Sequence, residues 1–268
     1  MIRSFFGITR YPFALDAITL LPFQQEMFDI LGVHAQQGGL CLVMGEPGTG
    51  KTVIKEALRL RADKRTVIAG VDRTLHTYGN TLKILSQTFN IEYTGDTFNC
   101  ERRLITEAFD LNRQGKMIMT VIDDAHLLDI TTLRRMRLLF DSFPKNHNLI
   151  LIGHVELLSA MCLTVNADIK SRVTYSAITP RLNPDDMQAF ILAQLDQVGL
   201  GHNTFTGDAL ALVVRSADGY LRRARNLCLS AMPEAVRQSQ KSIDLPVVNR
   251  VLIQPHWRVQ NDIQAATL

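Results

Sequence analysis

The chain has 268 residues, of which 46% are hydrophobic, so it can bury a substantial core in one large or two small domains. Its formal net charge of +3 permits nucleic-acid binding without indicating it, and its four cysteines lie far apart with no C-x-x-C pair, as is typical of a reducing compartment. No apolar run is long enough to cross a bilayer and the N-terminus lacks the apolar core of a signal peptide, so we expect a soluble, cytoplasmic protein with no membrane partner.

The N-terminal segment, residues 5–13, is rich in aromatic side chains and is interrupted by Gly7 and Pro12. These two residues exclude a long helix, and the segment is too apolar for a free tail, so we expect it to pack on the body of the protein. Residues 23–36 follow with the apolar spacing of an amphipathic helix. Residues 1–37 are therefore predicted to form a segment and a helix packed on the core.

The clearest motif of the chain comes next. Residues 45–52, Gly-Glu-Pro-Gly-Thr-Gly-Lys-Thr, satisfy G-x-x-x-x-G-K-[ST], the phosphate-binding loop of nucleotide-hydrolysing enzymes. An apolar run at 40–44 predicts a buried strand before it, and residues 53–60 predict a helix after it, so the phosphates would lie at a helix N-terminus. The glycines let backbone N–H groups turn toward the β- and γ-phosphates, Lys51 can reach their oxygens, and Thr52 can offer its hydroxyl to Mg²⁺. The predicted cofactors are ATP and Mg²⁺, and the predicted nucleotide-binding residues are Gly45, Glu46, Pro47, Gly48, Thr49, Gly50, Lys51, Thr52 and Val53, with Phe13 near the base.

Strand-like and helix-like segments then alternate along the chain. The predicted strands are residues 66–71, 117–122, 148–153 and 173–178, and the predicted helices between them are residues 81–89, 101–112, 130–140 and 156–162. This alternation predicts an α/β fold with a parallel sheet covered on both faces, whose ligands bind at the carboxyl ends of the strands.

From Arg181 onward the strand pattern stops and only helical patterns follow. They are predicted at residues 185–198, 208–217, 221–238 and 246–252 and form a small all-helical domain. We therefore expect a nucleotide-binding domain over residues 38–180, a helical domain over 181–253 and a tail over 254–268.

Two adjacent carboxylates follow the predicted strand at 117–122. Asp123 stands where a carboxylate would face the phosphate loop across the sheet and hold Mg²⁺ through water. Asp124 is the candidate general base for an attacking water. Most enzymes of this layout carry glutamate there, and aspartate is one methylene shorter, so a second water or slow turnover is expected. Two solvated acids at a strand end are the alternative interpretation.

Three further side chains are candidates for contacts with the nucleotide. His154 follows the predicted strand at 148–153 and could touch the γ-phosphate or orient the water. Arg172 could reach the γ-phosphate of a neighbouring subunit, although an ion pair with Asp168, one helical turn back, is the alternative. Arg222 begins a helix of the second domain after Gly219, which lets that helix turn back toward the nucleotide.

These residues together resemble a known family. The segments that carry the resemblance are Phe6-Gly7-Ile8, Pro12-Phe13, the loop at 45–52, Val121 to Leu128, Gly153 to Leu157, Ser171-Arg172-Val173 and residues 205–210 and 219–228. In this order they resemble the AAA+ ATPases of the ExeA/GspA type, whose close relatives are the transposon ATPases TniB, TnsC and IstB, over about residues 5 to 252.

The resemblance implies a P-loop αβα sandwich with a five-stranded parallel sheet, followed by a helical lid. It also implies that ATP binds between subunits, with assembly into a ring or a helical filament. It casts His154 as sensor 1, Arg172 as an arginine finger acting in trans and Arg222 as sensor 2. The chain departs from the family at Asp124, where glutamate is usual, and at His154, where the family often has glutamine.

The family contains more than one function. Its secretion members carry a membrane segment and a cell-wall-binding region after the ATPase, whereas this sequence ends shortly after the predicted lid. That difference favours an ATP-dependent regulator of DNA transposition, which assembles on duplex DNA, recruits a transposase and hydrolyses ATP slowly, with stimulation by DNA or a partner. Basic clusters that could contact phosphates, or equally form solvated helix faces, are Lys64-Arg65, Arg102-Arg103 and Arg134-Arg135-Arg137.

Two alternatives to this function remain at the level of sequence. The first is an assembly ATPase of a secretion or envelope machine without a DNA role. The second is a nucleotide-gated scaffold that hydrolyses ATP slowly or not at all, as the short side chain of Asp124 suggests. A small-molecule kinase fits poorly, because no segment resembles an acceptor pocket.

Overall fold

A computed structural model of the protein describes residues 2–14, 18–72 and 77–257. Contacts between residues divide the chain into two compact units, Ile18–Thr179 on one side and Met1–Ala17 together with Pro180–Leu268 on the other. The N-terminal aromatic segment is thus grouped with the C-terminal helices. Most of the predicted tail, residues 258–268, lies outside the described residues.

The unit Ile18–Thr179 is built on a five-stranded parallel sheet, which confirms the predicted α/β fold. The strands are β1 (Gly39–Met44), β2 (Thr66–Val71), β3 (Met117–Ile122), β4 (Asn148–Gly153) and β5 (Val173–Ile178). Their order across the sheet is β2-β3-β4-β1-β5, and every pairing is parallel. All carboxyl ends therefore lie along one edge, where β4 separates β1 from β3.

Besides these strands, the described part of the chain contains twelve α-helices. They are α1 (Ile2–Phe6), α2 (Pro22–Gln37), α3 (Lys51–Arg61), α4 (Tyr78–Thr88), α5 (Thr97–Arg113), α6 (Ile130–Asp141), α7 (Glu156–Cys162), α8 (Ala167–Lys170), α9 (Pro184–Asp196), α10 (Gly207–Ala217), α11 (Leu221–Arg237) and α12 (Leu245–Leu252). Capping side chains determine where several of these helices begin. Asp96, for example, accepts from the N–H groups of Phe98 and Asn99, so α5 begins four residues before the apolar pattern at 101–112.

Alternation along the strands divides the core of this unit into two layers. In β1, Leu42 and Met44 face one side of the sheet, whereas Cys41 and Val43 face the other. The first layer packs against α4, α5 and α6 through large aliphatic side chains such as that of Leu104. The second packs against α2 and α3. Central strands buried on both faces explain why their sequences are continuous apolar runs.

The second unit is helical in its described residues. Helices α9 to α12 pack on one another, and α1 packs on α11. Asn183 caps α9 by accepting from the N–H of Asp186, with Pro184 at the first helical position, as the sequence pattern predicts. The segment before α2 joins this unit through Arg10, whose guanidinium donates to the carbonyl of Gln197 at 2.8 Å.

Candidate nucleotide-binding site

The phosphate loop connects β1 to α3 and owes its conformation to its glycines. Gly48 and Gly50 have φ values of 91° and 98°, in the left-handed region that side chains with a Cβ rarely adopt. Gly50 is also the residue before α3 and has no side chain with which to cap it. The first N–H groups of an 11-residue helix therefore face the loop, where an anion would complement them.

A pair of buried threonines fastens the loop to the sheet. The hydroxyl of Thr49 lies 2.8 Å from the carbonyl of Glu46, to which it donates, and 2.6 Å from the hydroxyl of Thr179, which follows β5. Thr179 in turn donates its N–H to the carbonyl of Met44 at 2.8 Å. A Cβ on Gly45 would lie 2.0 Å from the hydroxyl oxygen of Thr179, so only glycine fits there. The sequence analysis missed Thr179, which no motif marks.

Lys51 is the basic residue of the loop, and its ammonium is held at the loop itself. Its Nζ donates to the carbonyls of Gly45 and Glu46 at 2.8 and 2.9 Å. An ammonium at this position can contact phosphate oxygens held by the N–H groups of the same loop. Thr52 lies beside it on the first turn of α3 and is half-buried.

Asp123 lies at the end of β3 and is held by a second lysine that the sequence analysis missed. The Nζ of Lys55 is 2.8 Å from Oδ2 of Asp123 and 3.2 Å from Oδ1 of Asp72. Burial by itself lowers the pKa of Lys55, but the hydrogen bond and negative charge of Asp123, with those of Asp72, outweigh it, so the pKa is raised overall. The signal that could have revealed Lys55 is its position next to the apolar residues Ile54, Ala57 and Leu58, which are buried with it on α3.

Asp124 adopts a left-handed backbone with φ 50° at the start of a short 3-10 turn, Ala125–Leu127. Aspartate tolerates this conformation better than most residues. Its N–H donates to Oδ1 of Asp123 at 2.9 Å, so the turn that exposes Asp124 also orients the neighbouring carboxylate. The structure thus brings the two acids to one turn, with Asp123 mostly buried and Asp124 exposed.

Two histidines stack at the ends of β3 and β4. The ring centroids of His126 and His154 are 3.7 Å apart with planes 18° from parallel. Gly153 permits this approach, because a Cβ there would lie 3.1 Å from the backbone nitrogen of His126. Burial lowers the pKa of His126, and the neighbouring His154 lowers it further. Nδ1 of His126 is buried and has no hydrogen-bond partner among the described residues. His126 was not predicted as a site residue.

Arg172 is half-exposed and pairs with the end of α6. Its Nη1 donates to Oδ1 of Asp141 at 3.1 Å. Asp168, the partner suggested by sequence spacing, instead lies 3.8 Å from Arg137. The ion pair of Arg172 therefore joins two segments that are distant in sequence. The carboxylate of Asp141 also contacts Arg137, at 3.5 Å.

Two of the predicted site residues belong to the helical unit. Phe13 is buried there, with φ 64° and its ring centroid 5.7 Å from that of Phe190. Arg222 is exposed on the first turn of α11. Gly219 before it has φ 77°, and a Cβ there would lie 2.8 Å from the carbonyl oxygen of Leu182. Contacts of Phe13 and Arg222 with a nucleotide stay predictions.

The hydrogen-bond donors and oxygen ligands of this region fit a nucleotide with Mg²⁺. Loop N–H groups and Lys51 suit phosphate oxygens, while the hydroxyl of Thr52 and the carboxylate of Asp123 are the hard oxygen ligands that Mg²⁺ prefers. No group of three or more His, Cys, Asp or Glu side chains in the described residues could hold a metal ion by itself. Mg²⁺ usually takes one or two protein ligands and completes its shell with phosphate and water, so the hydroxyl of Thr52 and the carboxylate of Asp123 are a sufficient protein contribution.

Comparisons with known proteins support this assignment of the fold. Residues 33–161, which contain the phosphate loop, both strand-end aspartates and His154, match the family model described as an AAA domain. General secretion pathway protein A of Aeromonas hydrophila is 25% identical over 259 residues, which are 91% of this chain and 46% of that protein. The chain therefore spans a little under half the length of this curated relative. Among described residues, no helix has the length and apolarity to span a bilayer.

Solved structures resemble the chain over nearly its whole length. The ORC2 protein of Aeropyrum pernix, in ADPNP and ADP complexes, has a TM-score of 0.71 at 15% identity and covers 98% of this chain and 74% of its own. Drosophila ORC bound to DNA has a TM-score of 0.69 at 19% identity, with 98% and 67% covered. Cdc6p of Pyrobaculum aerophilum has a TM-score of 0.68 at 19% identity, with 90% and 68% covered. The chain thus has the AAA+ fold of the ORC and Cdc6 proteins, with an AAA-domain match that contains the candidate site.

Proposed function

We propose that the protein is an ATP-hydrolysing AAA+ regulator of DNA transposition, which assembles on duplex DNA in its ATP-bound form and recruits a transposase in the cytoplasm. The observation that carries the ATPase part is the arrangement at one edge of the sheet. The phosphate loop follows β1, Asp123 and Asp124 follow β3, and His154 follows the strand between them. Phosphate-binding, metal-binding and proton-accepting groups are thus in neighbouring positions.

Each residue of the site has a chemical role in this proposal. Lys51 and the loop N–H groups bind the β- and γ-phosphates, and Thr52 and Asp123 hold Mg²⁺. The bound metal ion supplies neutralisation of charge on the transferred phosphoryl group. Asp124 accepts the proton of the attacking water, and His154 orients that water or touches the γ-phosphate.

Hydrolysis is proposed to be slow without a stimulating partner. The short side chain of Asp124 must reach the water from a left-handed turn whose N–H is already bonded to Asp123. Arg172 supplies the remaining positive charge in trans. It is tied to the surface carboxylate of Asp141, so it can be released when a second subunit brings its nucleotide to this face. DNA-driven self-association would therefore complete the site and raise turnover.

Solved structures with the same fold and exposed basic side chains support the proposal of DNA binding. Drosophila ORC is bound to DNA, and the Aeropyrum pernix ORC1 protein is in complex with DNA, in structures that resemble this chain. The three basic clusters differ in their surroundings. On α6, Arg135 stacks over the ring of Tyr78 at 3.9 Å and Arg137 contacts two carboxylates. Lys64 and Arg65, like Arg102 and Arg103 on α5, are exposed, which makes these two clusters better candidates for phosphate contacts than the cluster on α6.

The test is binding to duplex DNA fragments of several lengths with ATP, ADP and a non-hydrolysable ATP analogue, alongside electron micrographs. We expect assemblies that require ATP and grow with DNA length. Arg102→Ala should weaken binding and reduce its salt dependence, whereas Arg113→Ala on the same helix, where Asp110 lies 2.7 Å from the arginine, should change it little. An absence of affinity for duplex DNA at low salt with ATP would refute the DNA-binding role.

A second candidate function is an assembly ATPase of a secretion or envelope machine. The similarity to General secretion pathway protein A of Aeromonas hydrophila supports it. The same experiment separates the two functions, since rings or monomers that bind ATP but ignore DNA would favour the assembly role. The third possibility, a scaffold that binds ATP without appreciable turnover, is distinguished by the rate of phosphate release with and without DNA.

A further inference from the structure

Lys55 is a buried cation that the phosphate-loop motif does not include. It lies one helical turn after Lys51 on α3, so its side chain projects from the same face of the helix as those of Lys51 and Thr52. Only 8% of its side chain is exposed. Lysine is among the residues least often buried, because removing an ammonium from water is costly unless carboxylates pair with it. A lysine in this position therefore demands specific partners.

Its partners are the carboxylates at the ends of two neighbouring strands. Nζ lies 2.8 Å from Asp123 after β3 and 3.2 Å from Asp72 after β2, with Glu56 farther away at 4.0 Å. The two strand ends are also joined through the backbone, since the N–H of Asp123 donates to the carbonyl of Val71 at 3.0 Å. One ammonium thus connects α3 to both strands at the edge where the nucleotide is proposed to bind.

These contacts leave Asp123 with a defined orientation. Oδ2 accepts from Lys55 at 2.8 Å, while Oδ1 accepts from the N–H of Asp124 at 2.9 Å. Each carboxylate oxygen has two lone pairs, so both oxygens can still accept from a metal-bound water. The ammonium also offsets the negative charges of Asp123 and Asp72, which would otherwise repel the phosphates of a nucleotide that arrives without its metal ion.

We propose that Lys55 is a positioning residue of the nucleotide site, whose ammonium orients Asp123 and makes nucleotide binding less dependent on Mg²⁺. This inference rests on the proposed ATP site. It follows that removing the ammonium weakens metal-free binding and strengthens the attraction of the site for Mg²⁺. The affinity ratio, defined as affinity with Mg²⁺ divided by affinity in EDTA, therefore rises when Lys55 is neutralised.

The experiment measures this ratio with a fluorescent ATP analogue titrated against the full chain in Mg²⁺ and in EDTA. A unit charge within about 10 Å of the phosphates in a partly buried site changes affinity about tenfold, so the ratio for Lys55→Met should rise by about that factor. Lys55→Arg, which keeps the charge, should stay nearer to the wild-type ratio. Arg59→Met is the matched control, because it removes a half-exposed cation from the same helix without contact to Asp123.

A second variant protects the test against misfolding of Lys55→Met. Asp72 is half-exposed, so Asp72→Asn should fold, and it removes a negative charge instead of a positive one. Its ratio should fall below the wild-type value. Unchanged ratios in both Lys55→Met and Asp72→Asn, with wild-type protein that binds the analogue, would overturn the role of Lys55 while leaving the ATP site intact. If wild-type protein fails to bind the analogue in either buffer and Lys51→Ala behaves identically, both the ATP site and the role of Lys55 are overturned.

Discussion

His147 allows a quantitative prediction about the stability of the nucleotide-binding unit. It precedes β4, and its buried ring packs with its centroid 4.7 Å from that of Phe140 on α6 and 4.9 Å from that of Phe143. Nε2 lies 2.9 Å from the hydroxyl of Thr120. Burial lowers the pKa of His147 from 6.5 to about 3, because the aromatic surroundings disfavour the charged ring.

The sign of the effect follows from proton linkage. Below pH 6.5 the unfolded chain binds a proton at this histidine that the folded chain excludes, so the free energy of unfolding decreases as pH falls toward 3. Each pH unit in that window costs about 1.4 kcal/mol, so His147 should remove about 2 kcal/mol of stability between pH 7 and pH 5. Well above pH 6.5 the histidine is neutral in both the folded and the unfolded chain, so it does not lower the free energy of unfolding there.

The measurement is urea-induced unfolding at pH 7 and pH 5, followed by circular dichroism. His147→Gln can still bond to Thr120 but cannot titrate in this range, so its stability should fall by about 2 kcal/mol less than that of wild type between the two pH values. Phe140→Leu is the control, because it loses packing against the same ring but keeps the histidine. It should be less stable than wild type at both pH values, while its change in free energy of unfolding between pH 7 and pH 5 should equal that of wild type. Parallel pH dependence of wild type and His147→Gln would refute the reasoning.

Three further predictions concern the candidate catalytic groups and the histidine stack. Asp124→Glu should raise the rate of phosphate release several-fold with little change in ATP affinity, because the longer side chain reaches the water directly; an unchanged rate would argue against Asp124 as the base. Arg172→Ala should lower DNA-stimulated hydrolysis by about 10³-fold while ATP binding is retained, and mixing it with an Asp124→Asn variant should restore turnover if the arginine acts in trans. Gly153→Ala should displace His126, because the new Cβ would lie 3.1 Å from the backbone nitrogen of that residue. The substitution should cost about 1–2 kcal/mol of stability and lower hydrolysis more than ATP binding. Equal losses of hydrolysis and ATP binding would contradict a specific role of the histidine stack.

Much of the fold was predictable from local patterns. The five strands are apolar runs bounded by turn residues, and the structure confirms all of them in one parallel sheet. Helix starts were predicted less well, because a cap such as Asp96 or Thr77 precedes the apolar pattern that marks the helix. The short helices Ile2–Phe6 and Ala167–Lys170 were missed, since so few residues show no periodicity.

The candidate site also has parts that the sequence predicted and contacts that it could not predict. The phosphate loop and the two strand-end aspartates are contiguous motifs, and contiguity with a strand and a helix suffices to predict their chemistry. The partner of Arg172 was not predictable, since Asp141 is 31 residues away in sequence. The same holds for Thr179, which is 130 residues from the threonine it bonds.

Local sequence patterns were enough to predict a parallel α/β fold and to locate the phosphate loop and the candidate metal-binding carboxylate, because periodicity and short motifs are local properties. The tertiary structure alone decided which side chains meet at the edge of the sheet. Only the strand order brings Lys55 to Asp123 and Asp72, and stacks His126 on His154. Those contacts depend on distances between residues that are remote in sequence, and a single sequence carries no measure of such distances.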